Sequence, residues 1–231
     1  MKPYDKYKPL VSIHIPKCGG TAFQSVLKSW FIKKFYLHYF VEKQNRMPEQ
    51  HNVKISFLSR ELHKKGACIH GHFNKSRGFG VWDYYPDADQ FITILRDPFE
   101  IALSNYFYGV KRNSERYRDG RCIPAKEEFK NIEDYLLKRN SYLLSFFPFE
   151  LTPDNYKELL DQYFLYIGIL EDMKTSLKML SKKLNVPEIK INHINTSERL
   201  EEIPDNAKDI FIQKNRLEYE ISNWALSKYT L

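Results

Sequence analysis

Short apolar runs alternate with helical patterns along this chain, and the alternation limits the folds open to it. Strands are predicted at 10–15, 67–70, 91–95, 163–170 and 188–195. Helical spacing of apolar residues predicts helices at 23–35, 99–110, 173–184 and, as one long amphipathic element, 207–225. Strands that alternate with helices build βαβ units around a parallel sheet. We therefore expect a three-layer α/β/α domain with a central parallel sheet of about four to five strands flanked by helices.

Composition supports one domain that binds anions. The chain has 231 residues, 42% of them hydrophobic, and no linker-like tract divides it, so residues 1–231 are predicted to form a single domain. Its 36 Lys and Arg against 29 Asp and Glu give a net charge of +7. A positive field of this size favours phosphates, sulfates, acidic glycans, nucleic acid or an anionic membrane surface.

Cysteine usage and hydropathy bear on the compartment. Cys18, Cys68 and Cys122 form no C-x-x-C pair, which argues against a disulfide framework and against structural zinc. No apolar run is long enough to span a bilayer, and the N-terminus lacks the pattern of a signal peptide. We expect a cytoplasmic protein, unless an anchor precedes this sequence.

The segment 16–21, Pro-Lys-Cys-Gly-Gly-Thr, joins the first predicted strand to the first predicted helix. The first N–H groups of a helix have no intrahelical partner, and the helix dipole is positive there. Two glycines let the backbone approach an oxyanion, while Lys17 adds a charge and Thr21 a hydroxyl. An ordinary tight turn is the alternative. The order of residues differs from a Walker A loop, because Lys17 precedes the glycines, and this disfavours ATP hydrolysis.

A second polar turn, Arg96-Asp97-Pro98, follows the strand predicted at 91–95. Open α/β sheets bind ligands at this end of their strands. Ser104 lies two turns into the next helix, so it can share a phosphate with Arg96 only if the turn folds back. A contact of Arg96 with Asp97 or with a backbone carbonyl is the alternative. Together the two turns predict a ligand with phosphates at both ends.

The two turns resemble the donor-binding loops of sulfotransferases that use 3′-phosphoadenosine 5′-phosphosulfate (PAPS). The segment 70–73, His-Gly-His-Phe, is similar to the His-Gly-His segment of the heparan sulfate 2-O-sulfotransferase branch. Segments 163–172 and 192–197 also look like a later strand and a donor-side loop of that branch. The resemblance covers the order of elements over most of the chain. It implies a P-loop-like fold and sulfuryl transfer from PAPS to a hydroxyl, most often on a sugar or glycolipid.

The resemblance also implies a role for each matching residue. Lys17 would lie by the leaving oxygen of the phosphosulfate, and the turn at 18–22 would hold the 5′-phosphate. Arg96 and Ser104 would hold the 3′-phosphate. His72 would be the catalytic base, with His70 beside it in the catalytic set. The implied donor-binding residues are Lys17, Cys18, Gly19, Gly20, Thr21, Ala22, Arg96, Ser104, Ser197 and Arg199, and no metal is implied.

Each of these assignments has a structural alternative. His70 also fits a packed strand residue that orients its neighbour, and His72 fits a solvent-facing histidine after a strand. His14 is interpreted as a core histidine or one that supports the site from behind. The segment 111–121, with five basic and two acidic residues, is predicted to be a loop, either a lid that binds the acceptor or a solvated surface.

Two other functions stay open at this stage. A P-loop-type nucleotide or small-molecule kinase would require ATP and Mg²⁺, and the position of Lys17 argues against it. A non-catalytic nucleic-acid-binding module would show a Lys/Arg stripe with interleaved aromatics, whereas the basic residues here are scattered. We therefore expect no nucleic-acid partner.

Overall fold

The computed structural model describes residues 2–53, 66–118, 129–138, 142–189, 191 and 202–229, with the backbone alone at 42, 76 and 110–118. Five parallel strands form one sheet in the order β2-β3-β1-β4-β5. The strands are β1 (Leu10–Ile13), β2 (Phe35–His38), β3 (Cys68–Gly71), β4 (Phe91–Leu95) and β5 (Phe164–Ile169).

The helices are α1 (Gly20–Phe31), α2 (Val81–Tyr84), α3 (Pro98–Arg118), α4 (Ile132–Lys138), α5 (Tyr156–Tyr163), α6 (Met173–Leu184), α7 (Ala207–Lys214) and α8 (Arg216–Tyr229). Every residue of β1, β3, β4 and β5 is buried. Successive side chains of a strand point to opposite faces, so both faces of the sheet are covered. This confirms the predicted α/β fold with a parallel sheet flanked by helices.

The register of the sheet brings three strand ends together. In the central strand β1, Val11 lies beside Ile69 of β3 on one side and Phe91 of β4 on the other. The ladder continues past β1, because the His14 N–H donates to the Gly71 carbonyl at 2.8 Å. Since all strands are parallel, the segments that leave β3, β1 and β4 emerge at the same edge.

Several sequence-based boundaries are wrong. Phe35, predicted to belong to the first helix, lies in β2, because α1 ends at Phe31 and Ile32 turns the chain with a φ of 47°. The predicted C-terminal helix is two helices, with Asn215 between them donating from Nδ2 to the Phe211 carbonyl at 2.8 Å. An Asn side chain that bonds a backbone group competes with the continuous helical ladder in this way.

Other differences concern charged segments. The predicted loop at 111–121 begins inside α3, which continues to Arg118. In the strand expected at 188–195, residues 188, 189 and 191 are not in a strand, and 190 and 192–195 lie outside the described residues. No described helix is long and apolar enough to cross a membrane.

Candidate nucleotide and proton-transfer site

The turn after β1 has a left-handed backbone at two positions. Lys17 has a φ of 68° and Gly19 a φ of 70°. Such a conformation is costly for a residue with a Cβ, so the lysine is held there by its surroundings. A Cβ on Gly19 would also lie 2.5 Å from Leu170 Cδ1. The chain then enters α1 at Gly20, and the first N–H groups of that helix point out of its N-terminus.

Lys17 lies between an aromatic ring and a second cation. Its Nζ is 3.3 Å from the centre of the exposed Tyr108 ring, a cation–π contact. The Arg96 Nη1 donates to the Lys17 carbonyl oxygen at 3.3 Å. Burial, and secondly the charge of Arg96, lower the pKa of Lys17 to about 8. Among the described residues Lys17 has no carboxylate partner, so positive charge is concentrated here.

Arg96 projects from the end of β4 and folds back over α3. Its Nη2 pairs with Glu100 Oε2 at 3.1 Å, one turn into the helix. Glu100, Ser104 and Tyr108 are spaced by four residues and therefore share one face of α3. Because Glu100 contacts Arg96 and Tyr108 contacts Lys17, Ser104 lies between those two contacts. A phosphate shared by Arg96 and Ser104 stays a prediction.

Asp97 fixes the turn rather than pairing with Arg96. Its Oδ1 accepts hydrogen bonds from the Phe99 N–H at 2.8 Å and from the Tyr219 hydroxyl at 3.2 Å. Its Oδ2 lies 3.1 Å from Lys208 Nζ. The carboxylate thus caps α3 and joins it to the two C-terminal helices. Of the two structural alternatives for Arg96, the contact with a backbone carbonyl is the one that the structure shows.

Three histidines cluster where β1 and β3 end. The ring centre of His14 is 4.4 Å from that of His72 and 5.2 Å from that of His70. His70 is fully buried, and its Nδ1 is hydrogen-bonded to the Ser12 hydroxyl at 2.9 Å. The burial of the whole residue and this bond favour the alternative of a packed strand histidine that supports its neighbours. A catalytic part for His70 stays a prediction.

His72 has a different environment. Tyr39 and Phe146 face its ring edge-on, with ring centres 4.9 and 5.9 Å away. Its Nε2 is buried and has no hydrogen-bond partner among the described residues. Burial lowers the pKa of His72 to about 4, so the ring is neutral at neutral pH. A neutral imidazole has the lone pair that proton abstraction requires.

The structure separates the predicted residues into three groups. Lys17, the start of α1 through Ala22, and Arg96 meet at one edge of the sheet, with His72 at the neighbouring strand end. Ser104 lies on α3 between Glu100 and Tyr108. Cys18 faces the core at 2% exposure, and its N–H donates to the Ile15 carbonyl at 3.3 Å. Neither its thiol nor its N–H is then available to a ligand, and burial raises the thiol pKa. Ser197 and Arg199 lie outside the described residues.

Three residues of the site were not found from the sequence. Glu100 and Tyr108 differ from Ser104 by four positions, so a helical projection of α3 would have placed them on the same face. Tyr39, which contacts His14 and His72, follows the edge strand β2 that the sequence did not reveal. Although three histidines lie together, no described group of three or more His, Cys, Asp or Glu residues is arranged to hold a metal ion.

Comparison with known proteins gives one relevant finding. No protein-family model and no curated protein matches the sequence. Among solved structures, mouse sulfotransferase SULT7A1 complexed with PAP is similar over 95% of this chain and 67% of its own length. The two sequences are 16% identical, and the TM-score is 0.44. At this level of similarity the function has to be argued from the residues of the site.

Proposed function

We propose that this chain is a PAPS-dependent sulfotransferase with a carbohydrate acceptor. The observation that carries the proposal is the hydrogen bond from Arg96 to the Lys17 carbonyl. It joins the two turns that the sequence assigns to the two phosphates of the donor. His72 stands at the end of the adjacent strand β3, so a nucleotide held by both turns would have an imidazole close by.

The charges of the two turns support binding of a doubly phosphorylated nucleotide. Lys17 and Arg96 disfavour each other's charge, and an anion between them would relieve that repulsion. The N-terminus of α1 adds N–H donors and a positive dipole for the 5′-phosphate. Arg96 keeps further N–H groups after its contacts with Lys17 and Glu100, and these suit the 3′-phosphate together with Ser104. Ser197 and Arg199 are also part of this proposal, as residues that close over the 3′-phosphate or the adenine side of the nucleotide.

The proposed reaction is an in-line transfer. The His72 imidazole takes the proton of the acceptor hydroxyl, and the acceptor oxygen forms a bond to sulfur. The bond from sulfur to the 5′-phosphate oxygen breaks, giving a sulfate ester and 3′-phosphoadenosine 5′-phosphate. Lys17 offsets the negative charge that grows on the leaving oxygen. Positioning and electrostatic stabilisation carry the catalysis, as in phosphoryl transfer.

The carbohydrate acceptor rests on three further points. The His-Gly-His segment at 70–72 resembles the branch that sulfates sugars, and the aromatic rings of Tyr39 and Phe146 lie against His72. Aromatic side chains with a few polar groups are typical of sites for small organic substrates. The net charge of +7 would also favour an acidic glycan.

Nucleotide binding is the first test. We expect 3′-phosphoadenosine 5′-phosphate to raise the melting temperature of the protein more than ATP with Mg²⁺ does. Lys17→Ala and Arg96→Ala should weaken the effect. Lys28→Ala, at an exposed position of α1, is the matched control and should leave it unchanged. Equal stabilisation by the two nucleotides, or none by either, would contradict the proposal. A P-loop-type kinase or a non-catalytic nucleic-acid-binding module would then be the functions to test.

Transfer of radiolabelled sulfonate from PAPS to a panel of glycans, lipids and phenols is the second test. We expect label on glycans. His72→Ala should keep nucleotide binding and lose turnover. Normal turnover in His72→Ala would remove the base assignment, and label on phenols alone would remove the carbohydrate acceptor.

A further inference from the structure

The His14 ring, and not the backbone conformation, requires glycine at position 20. Its backbone does not have a positive φ, in contrast to Gly19. A Cβ placed on Gly20 would instead lie 1.7 Å from His14 Nε2 and 2.2 Å from His14 Cδ2. The second glycine of the turn therefore makes room for an imidazole ring. That ring packs directly against the first residue of α1, where the 5′-phosphate is proposed to bind.

The other edge of the His14 ring is also held. Its Nδ1 is hydrogen-bonded to the Tyr39 hydroxyl at 2.8 Å. Its ring centre is 4.4 Å from that of His72 and 5.2 Å from that of the buried His70. Burial, together with the two neighbouring histidines, keeps the pKa of His14 far below its usual range, so the ring is neutral. His14 thus fills the space between the donor loop and the proposed base.

We propose that His14 is a positioning residue that sets the distance between the donor loop and His72. The inference rests on the proposed function. The observation specific to it is that the ring contacts Gly20 on one side and His72 on the other. Removing the ring would leave a gap between the group that holds the donor and the group that takes the proton. A displacement of about 1 Å in such an arrangement can lower the rate by about a hundredfold.

A double-mutant cycle over His14 and Gly20 tests this directly. The Cβ of Gly20→Ala has to displace the His14 ring, so Gly20→Ala and His14→Ala should each lower kcat by about a hundredfold. Once His14 is Ala, the added Cβ has nothing to displace, and the double variant should be no slower than His14→Ala. The donor dissociation constant should change by less than about threefold in all three, because the backbone N–H groups remain.

A conservative variant separates positioning from simple packing. His14→Asn keeps a polar atom near the place of Nδ1 that can bond the Tyr39 hydroxyl, and it should recover part of kcat. Tyr39→Phe removes the hydroxyl partner alone and should show a smaller loss than His14→Ala. If His14→Ala instead lowers only the free energy of unfolding and leaves kcat unchanged, His14 is a packing residue and the inference is wrong. Additive losses in the double variant would also overturn it.

Failure of the proposed function would give a different result. If the unmutated protein transfers no sulfonate from PAPS, the proposed function fails, and His14 is assessed from the NMR resonances of the His72 ring. A positioning contact predicts that His14→Ala and Gly20→Ala each move those resonances. Resonances that stay at their original values in both variants would overturn the contact itself.

Discussion

The pKa of Lys17 should make the affinity for the proposed nucleotide depend on pH in a defined way. In the free protein, burial and the charge of Arg96 bring this pKa to about 8. A phosphate beside Nζ favours the charged ammonium form, so binding must raise the pKa again. Binding above pH 8 therefore requires uptake of a proton by Lys17.

The sign and size of the effect follow from this difference. Below the free pKa of about 8, Lys17 is charged both with and without nucleotide, and the affinity does not change with pH. Above it, the dissociation constant should rise by about tenfold per pH unit, until the pKa of the bound state is reached. The second pKa of a phosphate monoester is near 6, so the charge of the ligand stays constant over this range.

Isothermal titration calorimetry with 3′-phosphoadenosine 5′-phosphate measures both quantities. The titration series from about pH 7 to about pH 10 gives the slope, and buffers of different ionisation enthalpy give the number of protons taken up. Lys17→Arg is the control, because a guanidinium stays charged throughout and the slope should disappear. A flat profile for the unmutated protein would refute a contact between Lys17 and the phosphates. An equal slope in Lys17→Arg would assign the proton to another group.

Three further predictions concern stability and the second turn. Lys17→Gly should be more stable than Lys17→Ala by about 1 kcal/mol in urea unfolding, because alanine keeps the strain of the left-handed backbone. Equal stabilities of the two variants would contradict that strain. Gly168→Ala should lower the free energy of unfolding by about 2 kcal/mol, since its Cβ would lie 2.5 Å from Ile94 Cδ1 and 3.0 Å from Ser176 Cβ. An unchanged midpoint of urea unfolding would show that β5 shifts to accommodate the methyl group. Arg96→Lys should weaken nucleotide binding by about tenfold in calorimetry, because an ammonium group cannot bond the Lys17 carbonyl and a phosphate together as a planar guanidinium can. An unchanged affinity would show that the guanidinium does not make both contacts.

The strands that the sequence revealed are those buried on both faces. Continuous apolar runs mark β1, β4 and β5, because helices cover the sheet on each side. The edge strand β2 was hidden, since its residues are partly exposed and follow a helical apolar stripe without a break. The chain turns there at Ile32, and a β-branched residue at positive φ gives no signal that a sequence pattern can use.

For the candidate site too, the sequence predicts the local patterns but not the contacts between distant segments. A lysine before two glycines, an arginine at a strand end and a histidine after a strand are local patterns that the sequence shows directly, and the chemistry proposed for them stays a prediction. The contacts that adjust them come from elsewhere in the chain: Tyr108 stacks on Lys17, and Tyr39 bonds His14. Spacing along one segment does not encode such pairs, which depend on how the elements pack.

The sheet order itself explains why these turns can form a binding site. After β1 the chain builds β2 and β3 on one side, and it then crosses to build β4 and β5 on the other. The connections that leave β1 and β4 therefore diverge, and open parallel sheets bind ligands in the crevice formed at such a point. The bond from Arg96 to the Lys17 carbonyl spans this crevice. Topology thus fixes where a ligand would bind, and the two cations at this crevice favour an anion there.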